Sequence, residues 1–148
     1  MAKSQKLIID NEALADEFFE DCHLLGIVAP VKDYMFGWQS NQVLGINFRI
    51  NNDLEIQLTK RQRKYFFPIY EYAVPTIKLV HYLYNNQDGG EYLLPEFKHL
   101  DFLWLMKGDG VSDESLQQKT ETLRTINSVQ LVIELTNEKI KNKEHLVF

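Results

Sequence analysis

The sequence has little cysteine and no long apolar run, and each shortage excludes a class of protein. Its single cysteine, Cys22, excludes an internal disulfide and is typical of a reducing compartment. No uninterrupted apolar stretch approaches the roughly 20 residues of a membrane-spanning helix. Only three apolar residues, 7–9, follow the polar start, and a secretory signal needs a longer apolar core. We therefore expect a cytoplasmic protein.

The chain also lacks an excess of positive charge. Its formal net charge is −5 and its pI is about 5.4, which argues against a surface built as a whole to hold nucleic acid. The 148 residues are 45% hydrophobic and 25% charged, as in an ordinary globular domain. With no repeat, linker or low-complexity segment, residues 1–148 are predicted to form one domain.

The most apolar run, Phe102–Met106, predicts a strand buried on both faces, and therefore a central one. After a glycine-rich loop, Ser112 or Asp113 is expected to cap a helix that leads to an alternating strand at 129–135. This strand, helix, strand order predicts a right-handed crossover between parallel strands that are neighbours or nearly so. Leu146–Phe148 should dock back on the body.

Two further regions predict sheet structure. Ile46–Ile50 and Leu54–Leu58 alternate apolar and polar residues, and the intervening 51–53 predicts a hairpin turn. In the following run, 65–72, Pro68 cannot donate to a ladder and therefore indicates an edge strand or a bulge. Ile77–Tyr84 is a further strand candidate.

The N-terminal third is less clear. After a short strand at 7–9, one interpretation makes a helix, capped by Asp10 or Asn11, of most of 11–27; the other ends the helix near Phe19 and makes Cys22–Val28 a strand. A second helix follows Pro30, with its apolar residues at helical spacing expected to face the core. These residues are Val31, Tyr34, Met35 and Trp38. The fold class is therefore α+β: a mostly antiparallel sheet with two main helices and a C-terminal β-α-β unit.

One short motif is the most specific signal in the chain. It consists of Leu94, Pro95 and Glu96, three intervening residues, and then Leu100, Asp101 and Phe102. It resembles the signature of the IPExxxVDY family, and the segment from Leu24 to Asn41 is similar to that family's N-terminal half. Pro95, Glu96 and Asp101 match the signature, whereas Phe102 lacks the hydroxyl of the family's tyrosine. The resemblance implies a bacterial protein of uncharacterised function.

Three ionisable side chains of this motif region, Glu96, His99 and Asp101, are the only close grouping of acids with a base. General acid–base catalysis requires them to converge on one cleft, and the sequence gives no sign of that. We favour the structural alternative, in which Glu96 serves a short helical turn, Asp101 ties a loop to the buried strand, and His99 is exposed. We therefore lean against an enzyme and assign no catalytic residue.

No cofactor or metal site is predicted. The four histidines have no ligand spacing, and the neighbouring Cys22 and His23 point in different directions. The loop around Gly108 and Gly110 lacks the longer pattern of a phosphate-binding loop.

The one basic patch beside aromatic residues consists of Lys60, Arg61, Arg63 and Lys64, followed by Tyr65–Phe67. Such a patch can hold single-stranded RNA, with phosphates on the cations and bases on the rings. A solvated connection between strands is the more ordinary interpretation. Our first hypothesis is instead a non-catalytic module that binds a protein partner or itself, through an aromatic edge strand at 65–72. RNA binding is the alternative, and no membrane partner is expected.

Overall fold

The computed structural model describes residues 13–148, which form one α+β domain. The predicted strand at 7–9 and the caps Asp10 and Asn11 lie outside the described residues. The α-helices are α1 (13–18), α2 (Asp33–Leu44) and α3 (Asp113–Arg124). The strands are β1 (Cys22–Val28), β2 (Arg49–Lys60), β3 (Arg63–Ala73), β4 (Leu79–Asn85), β5 (Gln87–Asp88), β6 (Glu91–Tyr92), β7 (Phe102–Gly108) and β8 (Leu131–Glu134).

Six strands form one sheet in the order β2-β3-β4-β7-β1-β8, and each pair of neighbours is antiparallel. The predicted central strand is confirmed, because β7 lies between β4 and β1 and residues 102–106 are all buried. β7 and β8 run parallel, as predicted, with β1 inserted between them. The helix that joins them, α3, begins after Ser112, whose side chain accepts from the N–H of Ser115 over 3.1 Å.

The second interpretation of 11–27 is confirmed, since a short helix is followed by a strand at Cys22–Val28. Leu24 and Leu25 point to opposite faces of the sheet, and both are buried. A strand between two others buries both faces, so its apolar residues are consecutive and mimic a helical pattern. This is why spacing alone left the segment open.

The hairpin predicted at 51–53 is wrong. β2 continues through these residues with a bulge between Ile50 and Glu55, because Asn51 accepts from the N–H of Asp53 and donates to Glu71. The chain reverses later, at Arg61 and Gln62, where φ is 51° and 66° as in the tight turns that suit hairpins.

Pro68 lies beside a bulge, in a part of β3 that pairs with β2 but not with β4. It lies opposite Glu55, where the regular pairing of β2 and β3 resumes after the bulge. β3 itself lies between β2 and β4, but β4 pairs only with residues 69–73, so residues 65–68 are paired with β2 alone. The edge strands of this sheet are β2 and β8. The edge strand that our first hypothesis placed at 65–72 is therefore wrong for 69–72, and only residues 65–68 lack a strand partner on the β4 side within residues 13–148.

The sheet separates two apolar layers. One side, which we call the helix face, is covered by α2 and α3, and its buried residues include Leu25, Phe102 and Trp104. The other side, the tail face, is covered by α1 and the C-terminal residues. The predicted docking of 146–148 is confirmed, because Leu146 is buried and its carbonyl accepts from the Tyr84 hydroxyl over 2.8 Å.

Candidate functional site

The motif residues 94–102 form a short connection between β6 and the central strand. Pro95–Phe97 is a single 3₁₀ turn that begins with the proline, as its fixed φ favours. Leu94, Leu100 and Phe102 are buried. The apolar half of the motif therefore serves packing, and the side chains of the motif with polar contacts are its two carboxylates.

Glu96 holds the C-terminal segment. Its carboxylate accepts from the backbone N–H groups of Lys141 and Asn142 over 2.6 and 2.8 Å, and from the Asn142 side chain over 2.9 Å. Burial alone would raise the pKa of Glu96, but these hydrogen bonds outweigh it and lower the pKa below its ordinary value. The charged form is thus built into the fold as a clamp.

Asp101 also joins two segments of the chain through hydrogen bonds. Its Oδ2 accepts from the N–H of Ala29 over 2.8 Å, and its own N–H donates to the carbonyl of Ile27. The end of β1 is thereby joined to the start of the central strand. Because Ala29 is fully buried, its N–H has no water to replace this carboxylate.

The pattern gave no indication that Asn86 organises the motif. It is fully buried, its Nδ2 donates to the carbonyls of Phe97 and Leu100, and its Oδ1 accepts from the N–H of Leu94. In the sequence, Asn86 is one of six consecutive turn-forming residues. Nothing local distinguishes a buried asparagine from its exposed neighbours.

The structure does not bring Glu96, His99 and Asp101 to one cleft. Glu96 contacts residues 141–142, Asp101 contacts Ala29, and His99 is exposed beside the ring of Phe97. A cleft of about 440 Å³ is lined by Asp101 but by neither of the other two. This geometry lends no support to an enzyme that uses them. Within residues 13–148, no group of three His, Cys, Asp or Glu side chains is placed to hold a metal ion.

The basic segment lies at the tip of the β2–β3 hairpin, where all four cations are exposed. Lys60 pairs with Glu91 over 3.1 Å, and the Arg63 guanidinium lies 5.1 Å from the ring centroid of Tyr65. Phe66, on the opposite side of β3 from Tyr65, is half exposed. Cations and an exposed ring are therefore adjacent, although one of the cations already has a carboxylate partner.

The outer side of α2 departs most from expectation. Tyr34, Met35 and Trp38, which we expected in the core, are 65%, 40% and 60% exposed. These three side chains, which we call the α2 face, lie opposite the side that the helix buries. Val31, the fourth residue of the predicted stripe, precedes the helix and does pack against the core of the helix face. For the other three, helical spacing correctly predicted a shared side of the helix, but that side faces outward.

The buried side of α2 explains the reversal. It presents Phe36, Gly37 and Ser40 to the sheet, and Phe36 stacks on Phe102 with ring centroids 4.5 Å apart. Gly37 faces the ring of Tyr70, from which a Cβ atom at this position would lie 3.9 Å away, an ordinary packing distance. Phe36, Gly37 and Ser40 fill the narrow space between the helix and the sheet. The side of the helix with the larger apolar residues faces outward.

Polar contacts fix the helix in this orientation. The Tyr70 hydroxyl donates to Asp33 over 2.8 Å, while burial first, and this bond second, raise the pKa of Tyr70 well above its ordinary value. Asn41 exchanges two hydrogen bonds with the backbone of Phe48, 2.7 and 3.2 Å long. Both ends of α2 are thus attached to the sheet, and the α2 face has a defined position.

The fold is thus that of a small α+β domain whose most exposed aromatic side chains lie on one helix. No protein-family model matches the chain, and no curated protein resembles it significantly. The resemblance to the IPExxxVDY family therefore stays a prediction. Among the helices of residues 13–148, none combines the length and apolarity needed to cross a membrane.

Proposed function

We propose that this protein is a protein-interaction module whose α2 face binds a second polypeptide, either another copy of the chain or a different protein. The observation that supports the proposal is the exposure of Tyr34, Met35 and Trp38 on one side of a fixed helix. A contiguous apolar patch is the informative kind of exposure, whereas single exposed apolar residues are normal.

The composition of α2 supports the same proposal. Surface helices usually carry charged residues on their outer side, yet between Asp33 and Leu44 the only charged residue is Asp33, whose carboxylate accepts from Tyr70. Interface centres are poor in charge and rich in tyrosine, tryptophan and methionine. These are the three residue types of the α2 face.

The attachment of α2 adds a thermodynamic reason. Phe36 stacks within the core, and Asp33 and Asn41 attach the two ends of the helix to the sheet. A surface that is already ordered loses little conformational entropy when a partner binds.

The test compares Trp38→Glu with Ile77→Glu, a control at a loop residue of similar exposure, 48%. Molar mass in solution and affinity capture from host lysate, with nuclease present, are measured for both variants and the wild type. We expect the wild type to form a homo-oligomer or to recover a stoichiometric protein, and Trp38→Glu to weaken that binding at least tenfold. Ile77→Glu should keep it.

Unchanged circular dichroism and melting temperature in Trp38→Glu would show that the loss is not one of folding. Two results would contradict the proposal. One is a wild-type monomer that recovers no stoichiometric protein, and the other is a complex that Trp38→Glu leaves intact.

A second candidate is binding of single-stranded RNA by the basic hairpin tip. It is supported by the adjacency of Lys60, Arg61, Arg63 and Lys64 to the half-exposed ring of Phe66. We expect such binding to a uridine oligomer to weaken steeply with salt, and to be lost in the double variant Arg61→Glu/Lys64→Glu. Trp38→Glu is the matched control that should bind normally. No binding at low salt would remove this candidate.

A cytoplasmic location and a bacterial origin belong to the same proposal. The single cysteine supports the first, and the resemblance of residues 94–102 to the IPExxxVDY signature supports the second.

A further inference from the structure

A separate cavity of about 210 Å³ lies on the helix face, between the end of α2 and α3. Its apolar lining comes from Trp104 of the central strand and from Val43, Leu44 and Ile46. Its polar lining comes from His81 of β4 and from four residues of α3, namely Ser115, Gln118, Lys119 and Thr122. None of the residues of the α2 face lines it, so the two surfaces are separate.

His81 is fixed in one tautomer. The indole N–H of Trp104 donates to His81 Nδ1 over 3.1 Å, so Nδ1 carries no proton and the neutral ring carries its proton on Nε2. Only 2% of His81 is exposed, and Nε2 has no hydrogen-bond partner among residues 13–148. Among residues 13–148 the enclosed side-chain polar atoms without a partner are Ser40 Oγ and Thr136 Oγ1, so Nε2 is instead an atom that solvent reaches from the cavity. It is therefore available to an acceptor in the cavity.

Lys119 adds a positive charge beside this donor. Its Nζ donates to Ser115 Oγ over 2.6 Å, and no carboxylate of the described residues forms an ion pair with it. Burial lowers the pKa of Lys119, and its charge adds to burial in lowering the pKa of His81 to about 4. A positive charge and an N–H donor thus share one cavity that supplies no anion of its own.

We propose that this cavity binds a small monocarboxylic acid. The carboxylate accepts from His81 Nε2 and pairs with Lys119, and a short apolar body lies against Trp104 and the side chains from the end of α2. An anion is the ligand that both polar groups favour, because a charge-assisted hydrogen bond is roughly twice as strong as a neutral one.

The size of the cavity limits the apolar body. An apolar cavity of about 150 Å³ holds a benzene molecule. At about 210 Å³ this cavity has room for one ring, or for a short chain, with the carboxylate attached. Benzoate is therefore a suitable probe, and benzamide, of nearly the same shape but uncharged, is its matched control.

The experiment uses Trp38→Phe as the background, so that Trp104 is the only tryptophan and its indole N–H resonance is unambiguous. Benzoate is titrated while this resonance is followed by proton NMR. We expect a saturable shift, with benzamide binding at least tenfold more weakly. Lys119→Met removes the charge but keeps the apolar stem, and should weaken benzoate binding at least tenfold. The exposed Lys98→Met should leave binding unchanged.

Three results would each overturn the proposal: an indole resonance that does not respond to benzoate, equal binding of benzamide, or full benzoate affinity in a folded Lys119→Met variant. The outcome is independent of the α2 face, because the background lacks Trp38 and the readout reports Trp104 alone.

Discussion

The carboxylate of Asp101 accepts a hydrogen bond from the buried N–H of Ala29 over 2.8 Å, and so joins two segments that lie 72 residues apart in the chain. Ala29 follows the end of β1 and Asp101 precedes the start of β7, so the hydrogen bond joins the ends of two adjacent strands. Two substitutions of Asp101 can test this hydrogen bond, because one removes the acceptor oxygen and the other removes only the negative charge.

Asp101→Ala should lower the free energy of unfolding by about 1–3 kcal/mol, because it leaves the buried N–H of Ala29 without an acceptor. Asp101→Asn keeps a carbonyl oxygen at the same place and should lose much less. Denaturant titration of both variants measures the difference. Equal losses would mean that the charge, and not the hydrogen bond, is what the fold requires.

Glu96→Gln should release the C-terminal segment, since an amide replaces a carboxylate that accepts from three donors of Lys141 and Asn142. We expect a loss of about 2 kcal/mol in the free energy of unfolding, as for hydrogen bonds to a charged group, and faster tryptic cleavage after Lys141 and Lys143. The exposed Glu20→Gln is the control and should behave as the wild type does.

Acid should reproduce the effect of Glu96→Gln. The pKa of Glu96 is lowered in the folded state, so its contribution to stability is present above the unfolded pKa and is lost as the pH falls through the folded value. In Glu96→Gln, the free energy of unfolding should therefore fall less on acidification than it does in the wild type. A variant with wild-type acid sensitivity would contradict the clamp.

Gly108→Ala should destabilise the protein by roughly 3 kcal/mol or more. Gly108 has φ +124°, and a Cβ atom there would lie 1.9 Å from the backbone oxygen of Lys78, the residue before β4. Gly45→Ala is a matched control, since Gly45 also has positive φ but has free space around it. Its loss should be about 1–2 kcal/mol, the strain of the left-handed backbone alone. Melting curves compare the two, and similar losses would show that strain rather than collision dominates at Gly108.

His81 should make the protein less stable as the pH falls from 7 to 5. Burial and Lys119 hold its folded pKa at about 4, below the ordinary 6.5, so the unfolded chain binds the proton first. Stability is then lost progressively below the unfolded pKa, by about 2 kcal/mol between pH 7 and 5. Denaturant titrations at both pH values, on the wild type and on His81→Gln, measure this slope.

The glutamine variant can still accept from Trp104 but has no proton to gain in this range, so it should show a flatter slope. The groups that face His81 are Lys119, the Trp104 indole and the rings of Phe48 and Tyr72, and none of them is a carboxyl group or a second imidazole. An equal slope in both proteins would assign the pH dependence to other groups.

The central part of the fold was predictable because its signals are local and strong. Five consecutive apolar residues, 102–106, predicted the middle strand, and the two candidate caps, Ser112 and Asp113, predicted the start of α3, where Ser112 is the cap. The turn at 51–53 was predicted wrongly because the same side chain that often closes a turn, Asn51, here forms a bulge with Glu71. The difference depends on a strand that lies 20 residues later in the chain.

The candidate surfaces were harder to predict. The apolar spacing of α2 was recognised, but the side of the helix that is buried contains the small residues Gly37 and Ser40. A pattern based on large apolar residues takes no account of these two. The cavity beside His81 is formed by β4, the central strand and two helices, so its polar and apolar walls come together only in the folded chain. No single stretch of the sequence contains its pattern.

The place of β1 in the sheet has a consequence for how the protein is made. Its first residue, Cys22, pairs with Lys107, 85 residues later in the chain, and its other edge pairs with β8. At synthesis rates of about 5–20 residues per second, β1 leaves the ribosome roughly 4–17 seconds before its first partner exists. β2, β3 and β4 follow one another and pair with their neighbours without that delay. Until β7 has been synthesised, the apolar residues of β1 therefore have no neighbouring strand to pack and pair with. We expect the pairing of β1 with β7 and β8 to be a late, slow step in folding.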